Sequence, residues 1–304
     1  MRPTLRQLSY LIAIAETGRF GEAARRLNVS QSSLSVQIAD MEAELGAHLI
    51  ERGRHGALIT PAGKDVVVQA RLILREVEEL KAIARQSEHE FSGRLNLGVL
   101  PSIGPYLLPS VTRHLHERFP QLRLAVREER TIDLDQHLID GNFDLIISTV
   151  EDHPEAETAF LFREELWVCA APDDPLSSSS DPVDLEDLKH HAFISLGAGH
   201  RLSLLVRELA TMVGTHVSTE YEGTSLDAVR QMAVMGAGIA ILPSLYALSE
   251  ARRDPHLVIR RINHTKAERK IALCWRRTSA LSDRYRSLAE EFSKTANTIL
   301  DPKA

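Results

Sequence analysis

Two groups of polar residues in the 304-residue chain are spaced so that each can bind a ligand. The first group opens a run with helical periodicity, and its members carry hydroxyl or amide groups: Gln31, Ser32, Ser33, Ser35 and Gln37. Such side chains suit the edges of bases, which present donors and acceptors in the major groove. Arg52 and Arg54 follow and can reach phosphates. The spacing alone also fits a helix face that only meets water.

The second group consists of residues that each lie between a predicted strand and a predicted helix: Ser102, Thr131, His200, Arg201, Thr224 and Ser225. Backbone amides and helix dipoles converge at such positions and favour acceptor or anionic groups. We therefore expect a small polar or anionic effector, such as a carboxylate paired with Arg201. The alternatives are that Thr224 and Ser225 only cap a helix, and that Arg201 meets solvent or an acid such as Glu208.

Catalytic and metal-binding patterns are absent from the sequence. It holds no P-loop, no GxSxG elbow and no GxGxxG fingerprint. The 13 histidines are scattered without metal-ligand spacing, and His200 has no evident nucleophile beside it. Cys169 and Cys274 each lie in an apolar run, which predicts buried, inert thiols. We expect neither an enzyme nor a bound metal or cofactor.

The elements around the first group predict a winged helix-turn-helix module. A first helix has apolar residues Leu5, Leu8, Ile12 and Ala15, and a second has Phe20, Ala23, Ala24 and Leu27. Ser30 is a typical N-cap for a third helix, which ends at Gly46 and is expected to bury Leu34, Ile38, Met41 and Leu45. Two short strands around Gly53 and Gly56 complete the pattern as a basic hairpin.

A long helix is predicted from Pro61 to about Glu90. Its apolar residues alternate spacings of four and three, as in a coiled coil: Val66, Ala70, Ile73, Val77, Leu80 and Ala84. This seam predicts dimerisation through residues 62–91, although it can also pack within one chain. A dimer would place two modules on two half-sites of a DNA site.

The run AARRLNVSQSSLSVQIADMEAELGAHLIERGRHGALITPAG resembles the DNA-binding module of LysR-type transcriptional regulators. The resemblance implies double-stranded promoter DNA as a partner, a homotetramer and contact with RNA polymerase. The two cysteines in apolar runs and the lack of a long apolar stretch predict a cytoplasmic protein without a membrane partner. The net charge of the whole chain is −6, yet residues 1–60 hold seven Arg against six acidic residues. The acidic excess therefore belongs to the rest of the chain.

Beyond residue 92, strand and helix signals alternate, as in parallel sheets covered by helices. Strands are predicted within RLNLGVL, LRLAVRE, DLIIS, LWVCAA, AFISL, VSTEYEG, GIAILPS and KIALCWR. The fold class is thus α+β: a winged helix-turn-helix at 1–61, a linker helix at 62–91 and a two-lobed α/β effector domain at 92–304. Lobe I is expected at about 92–163 and 266–304, and lobe II at about 164–265. The family resemblance implies a fold similar to periplasmic binding proteins, with the ligand between the lobes.

The motifs GPYLLP, TSL and Gly-His are similar to the peroxide-sensing, OxyR-like branch of the family. That branch has a Cys directly after the His and a second Cys nine residues later, where this chain has Arg201 and Ala210. The redox switch is therefore missing, because neither residue can form a sulfenic acid or a disulfide. The alternatives are a cysteine-independent oxidative-stress regulator and an exported solute-binding protein, since Arg2 and Arg6 before LSYLIAIA are similar to a leader.

Overall fold

The computed structural model describes residues 3–53, 56–84, 91, 93–220, 225–254 and 256–300, except for the side chain of residue 52. The chain divides into two compact units. The first contains residues 1–88 and 139–142, and the second contains residues 89–138 and 143–304.

The first unit is a winged helix-turn-helix followed by a long helix, as expected from the sequence. Its elements are α1 (Leu5–Thr17), α2 (Phe20–Arg26), α3 (Gln31–Leu45), β1 (Ile50–Gly53), β2 (Gly56–Ile59) and α4 (Pro61–Ala84). β1 and β2 form an antiparallel hairpin in which Ile50 lies opposite Ile59. Residues 85–90, over which we expected the helix to continue, lie outside the described part.

Local hydrogen bonds explain where the first helices begin and end. Thr4 and Gln7 form a reciprocal capping box at the start of α1. Asn28 takes a left-handed conformation (φ 54°) in the turn before α3, and Ser30 Oγ accepts from the Ser33 amide at 3.1 Å. Gly46 ends α3 with φ 65°, a conformation that glycine adopts without strain.

The core of this unit uses a slightly different set of residues from the one predicted. Ala23, Ala24, Leu34, Ile38 and Met41 are buried as expected. Leu5 and Leu45 are not: they are 45% and 41% exposed. The buried face of α1 instead runs through Leu8, Leu11 and Ile14, and Leu45 is the last residue of α3, where the chain turns away at Gly46.

Helix α4 packs against α1, with Val67 and Ala70 buried and Leu74 packed against the same core. Further along, the predicted seam is largely open in the single chain. Ile73 is 45% exposed and Leu80 is 64% exposed, and Ala84 is exposed as well. An exposed apolar row of this kind favours a partner surface.

The second unit has a mixed sheet flanked by helices. Its elements in order are β3 (Gly93–Val99), α5 (Gly104–Arg118), β4 (Leu122–Glu128), α6 (Thr131–Ile139), β5 (Leu145–Thr149), β6 (Ala156–Cys169), β7 (Val183–Asp184), β8 (Phe193–Ile194), α7 (Arg201–Met212), α8 (Leu226–Val234), β9 (Ile239–Pro243), α9 (Ser244–Arg253), β10 (Ile259–Asn263), β11 (Glu268–Arg276) and α10 (Ser282–Leu300). Short 3₁₀ turns occur at Val150–Asp152, Pro175–Ser178 and Leu185–Leu188.

Two α/β lobes share one long strand. In lobe I, β3 pairs in parallel with β4 and β5, and β11 pairs antiparallel with β5. Residues 156–165 of β6 pair with β11, whereas residues 166–169 pair with β9 in lobe II. The chain therefore passes from one lobe to the other inside β6. It returns between β10 and β11.

One predicted strand is wrong over its described part. In VSTEYEG, Val217 makes a single parallel bridge to Phe193, and Thr219 and Glu220 form a bend. Val217 is the one apolar residue among 217–220, so this segment has no alternating apolar face to hold it on the sheet. β7, β10 and α9 were not predicted.

Candidate functional site

The start of α3 presents a polar surface to solvent. Gln31, Ser32 and Ser33 are exposed, and Ser35 and Gln37 are half-buried. The apolar face of the same helix anchors it, because Leu34 and Ile38 are fully buried. Gln7 Nε2 also donates to the Gln37 carbonyl at 3.2 Å, which fixes α3 against α1. The helix is therefore anchored on its apolar side, while Gln31, Ser32 and Ser33 on its polar side are exposed and can meet a ligand.

Val36 also lies on this surface, and the sequence interpretation missed it. Its side chain is 56% exposed, between Ser35 and Gln37. An exposed apolar side chain on a base-reading helix can contact a thymine methyl group in the major groove. The signal was present in the sequence, since Val36 falls off the buried spacing of Leu34, Ile38 and Met41.

The hairpin after α3 is present, and Glu42 ties it to the helix. Its Oε1 accepts from the amides of Leu49 and Ile50, at 2.7 and 3.1 Å. The Arg52 side chain and residue Arg54 lie outside the described part of the structure. Their contacts with phosphates remain a prediction.

Five residues of the second predicted group line a single cavity of about 420 Å³ in the second unit: Ser102, Thr131, His200, Arg201 and Ser225. Ser102 follows β3, Thr131 begins α6, His200 and Arg201 stand at the start of α7, and Ser225 caps α8. Thr224 lies outside the described residues. The cavity thus lies where helices of both lobes begin, a position that suits polar ligands.

Ser102 is held by an arginine that the sequence interpretation missed. Arg269 donates from Nη2 to Ser102 Oγ at 2.7 Å, and its Nε donates to Glu164 Oε2 at 2.7 Å. Glu164 and Arg269 lie on neighbouring strands at the lobe crossing, and both are buried. Burial raises the pKa of Glu164, while Arg269 and the Leu245 amide oppose that rise. Arg269 therefore joins the cavity wall to the strands that connect the lobes.

Thr131 and Arg201 link the two lobes directly. The Arg201 amide donates to Thr131 Oγ1 at 3.2 Å. The Arg201 guanidinium forms an ion pair with Asp152, with 3.5 Å between Nη1 and Oδ1, and its side chain is 31% exposed. The acid beside Arg201 is thus Asp152 and not Glu208. An anionic ligand would have to compete with Asp152 for this charge.

His200 is a buried residue of the cavity wall, with 5% of its surface exposed. Burial lowers the pKa of its imidazole, the Arg130 charge lowers it further, and Asp133 opposes both. The ring is therefore neutral near pH 7. Its Nε2 is buried and has no hydrogen-bond partner among the described residues.

Three further polar residues line the cavity and were not predicted: Tyr106, Glu128 and Asp227. Burial raises the pKa of Tyr106 to about 12, helped by the nearby Glu250 and Asp227 carboxylates. Burial also raises the pKa of Glu128. Glu128 ends β4 and Asp227 is in the first turn of α8, so strand and helix ends were again the available signal.

The two cysteines are buried and free. Burial raises the pKa of Cys169 to about 11, partly opposed by Arg230, and raises that of Cys274 to about 12. A thiol reacts with peroxide through its thiolate, which such surroundings suppress. Neither cysteine lines the cavity.

Within the described ranges, no group of three or more His, Cys, Asp or Glu side chains is arranged to hold a metal ion. Over the same residues, no helix combines the length and the apolarity that a bilayer crossing requires.

Comparison with known proteins decides the family. Residues 5–64 match the model of bacterial regulatory helix-turn-helix proteins of the lysR family, and residues 88–297 match the LysR substrate binding domain. The chain belongs to the LysR family. It is a LysR-type DNA-binding transcriptional regulator with an effector-binding domain, as the sequence resemblance implied.

Individual LysR proteins of the OxyR type are similar over nearly the whole chain. The DNA-binding transcriptional dual regulator OxyR of Escherichia coli K12 is 36% identical over 286 residues, covering 94% of this chain and 93% of that protein. A cysteine-to-aspartate variant of full-length OxyR from Pseudomonas aeruginosa has a TM-score of 0.80 at 29% identity, covering 96% of this chain and 98% of that one. A cysteine-to-serine variant of Corynebacterium glutamicum OxyR with hydrogen peroxide bound has a TM-score of 0.67 at 28% identity, covering 99% and 96%.

The LysR assignment also decides how the N-terminus is interpreted. The segment LSYLIAIA, which is similar to a leader, lies within α1 (Leu5–Thr17), and its Leu8, Leu11 and Ile14 pack in the core of the helix-turn-helix unit. The interpretation as an exported solute-binding protein is therefore wrong. The two-lobed unit is the effector-binding domain of a regulator.

Proposed function

We propose that this regulator reads promoter DNA with the start of α3 and changes its DNA binding when a small polar effector occupies the interlobe cavity. DNA recognition by α3 is supported by the exposed residues Gln31, Ser32 and Ser33, which lie on a helix whose opposite face is fully buried. Arg52 and Arg54 contribute phosphate contacts from the hairpin. Val36 adds an apolar contact beside the polar groups.

Effector binding is supported by one cavity that is lined by Ser102, Thr131, His200, Arg201 and Ser225. Thr131 belongs to lobe I and Arg201 to lobe II, so a ligand between them favours one relative pose of the lobes. A ligand shifts such an equilibrium only by its difference in affinity for the two poses. Thr224 is included in this site from its position beside Ser225.

Self-association completes the proposal. The exposed apolar row on α4, including Ile73 and Leu80, supports pairing of two chains through residues 62–91. A dimer would place two α3 helices on two half-sites of one operator. Assembly into tetramers and contact with RNA polymerase follow from family membership alone.

The same proposal places the protein in the cytoplasm, where bacterial DNA lies, and gives it no catalytic activity, metal or cofactor. Known relatives in this family are transcriptional regulators. A peroxide response without cysteine chemistry is the second candidate, favoured by the similarity to OxyR proteins.

Selection of binding sites from a random DNA pool tests the α3 assignment. The full chain should enrich one sequence, and Gln31→Ala should lower discrimination at one or two base positions by about 1–3 kcal/mol. Gln121→Ala, an exposed glutamine of the second unit, is the matched control and should leave the enriched sequence unchanged. Unchanged preferences in the Gln31 variant would count against α3 as the reading helix.

A further inference from the structure

Three hydroxyl groups of the cavity wall are oriented as donors. Ser102 Oγ accepts from Arg269, Thr131 Oγ1 accepts from the Arg201 amide, and Ser225 Oγ accepts from the Ala228 amide at 3.4 Å. Each hydroxyl has one hydrogen to donate, and none of the three donates to a described residue. Their free hydrogens can therefore point only to ligand or water. The ligand group that binds to this part of the wall should therefore be a hydrogen-bond acceptor, such as a carboxylate or carbonyl oxygen.

The charged groups of the wall are balanced, with one exception. Arg269 is paired with Glu164, Arg201 with Asp152, and Asp227 with Arg230 at 3.1 Å. Glu128 lines the same cavity and has neither an ion pair nor a hydrogen-bond partner among the described residues. Glu128 is an exposed residue at the rim of the cavity, so water solvates its carboxylate and a cationic group of a ligand can reach it.

The lining also has an apolar part, which includes Leu100, Leu196, Leu202 and Leu226, beside the Tyr106 side chain. A volume of about 420 Å³ lies in the range of small-molecule sites. The cavity thus combines hydroxyl donors, one carboxylate without an ion-pair partner among the described residues, and apolar side chains.

From this arrangement we infer that the effector is an amino acid, or a close analogue, with an uncharged side chain. Its carboxylate accepts from the hydroxyls of Ser102 and Thr131, its ammonium group pairs with Glu128, and its side chain packs on the leucines. This inference rests on the proposed function, since it names the effector class of the same cavity. It also explains how a carboxylate can bind without displacing Asp152 from Arg201.

Titration calorimetry on the full-length protein tests the inference. The probes are the L-amino acids with uncharged side chains, together with propionate, 4-methylpentanoate and 3-phenylpropionate, which lack the amine of alanine, leucine and phenylalanine. At least one of these three amino acids should bind, and its counterpart without the amine should bind at least tenfold more weakly. Glu128→Gln should weaken the binding of that amino acid at least tenfold and change the affinity for its counterpart by less than twofold.

Glu117→Gln, an exposed glutamate of α5 outside the cavity lining, is the matched control and should change neither affinity. If Glu128→Gln unfolds, Glu128→Asp can replace it, because aspartate keeps the charge on a shorter side chain. This variant should weaken the binding of the amino acid more than that of its counterpart. Binding by none of the three amino acids, equal binding of both members of a pair, or unchanged affinity in the Glu128 variant would overturn the inference. If simple carboxylates bind and alter DNA affinity, the proposed function stands and only this inference fails.

Discussion

Arg269 and Glu164 form a buried ion pair where the two lobes of the effector unit meet. They lie opposite each other on β11 and β6, and their side chains are 4% and 0% exposed. Arg269 also donates to Ser102 in the cavity wall. The pair therefore connects the ligand cavity with the strands through which the chain passes between lobes.

Glu164→Gln should destabilise the effector unit strongly, because it leaves the Arg269 charge buried without its partner. Breaking a buried pair in this way costs about 3–5 kcal/mol. Urea unfolding followed by tryptophan fluorescence measures this loss selectively, since the two tryptophans, Trp167 and Trp275, both lie in the effector unit on β6 and β11.

The same two strands offer a matched control for the buried pair. Arg163 and Glu268 form an exposed ion pair, with the arginine side chain 56% exposed. Glu268→Gln should cost about 1 kcal/mol or less, because exposed pairs gain little in water. Equal losses in the two variants would mean that burial of the Glu164 pair has no special role.

Glu291 should make the effector unit sensitive to acid. Burial alone would raise the pKa of Glu291, but His114, Lys294 and Arg118 outweigh it and lower the pKa to about 2. Since the folded value lies below the unfolded value of 4.5, the stabilisation is complete above pH 4.5 and is lost as the pH falls toward 2. The free energy of unfolding of Glu291→Gln should be lower than that of the wild type above pH 4.5, and this difference should shrink as the pH falls from 4.5 toward 2. A constant difference would contradict the assignment.

Ser30→Ala should loosen the first turn of the proposed reading helix. The change removes the acceptor of the Ser33 amide and costs about 1 kcal/mol. Hydrogen exchange of the α3 N-terminus should accelerate roughly fivefold. Ser9→Ala is the control, since the exposed Ser9 hydroxyl bonds only to the Leu5 carbonyl within α1. Acceleration of α3 in both variants would contradict the capping role.

Hydrogen peroxide should leave the DNA affinity of this protein unchanged. Cys169 and Cys274 are buried with raised pKa values, so few thiolates are available to react. An aromatic disulfide reagent should label them rapidly only after unfolding in urea, which serves as the positive control. A peroxide response that disappears in Cys169→Ala or Cys274→Ala would place redox sensing on these thiols.

Much of this fold follows from local patterns in the sequence. Ser30, Gly46 and the spacing of Leu34, Ile38 and Met41 define α3 because caps and helical periodicity act over a few residues. The cavity residues were found in the same way, since strand-to-helix junctions are visible in the sequence. The prediction that Leu45 is buried was wrong, because its exposure depends on where the neighbouring elements end. Helix periodicity does not contain that information.

The partners of the cavity residues could not be found locally. Arg269 reaches Ser102 and Glu164 across 167 and 105 positions of the chain. Nothing near Arg201 in the sequence points to Asp152, since the contact depends on how the two lobes meet. Glu128 stands out only because the other charged residues of the cavity wall have ion-pair partners, and those partners are distant in the sequence or cannot be recognised from it. Such relations come from tertiary structure, and they decide which ligand the site accepts.

Sequence-specific DNA binding can be measured by fluorescence anisotropy of the full-length protein with its selected DNA site and with a scrambled duplex of the same length. We expect at least a thousandfold preference for the selected site. We also expect the affinity to fall by about a thousandfold or more between 50 and 200 mM salt if six or more phosphates are contacted. Equal affinity for both duplexes, or binding that ignores salt, would contradict these expectations.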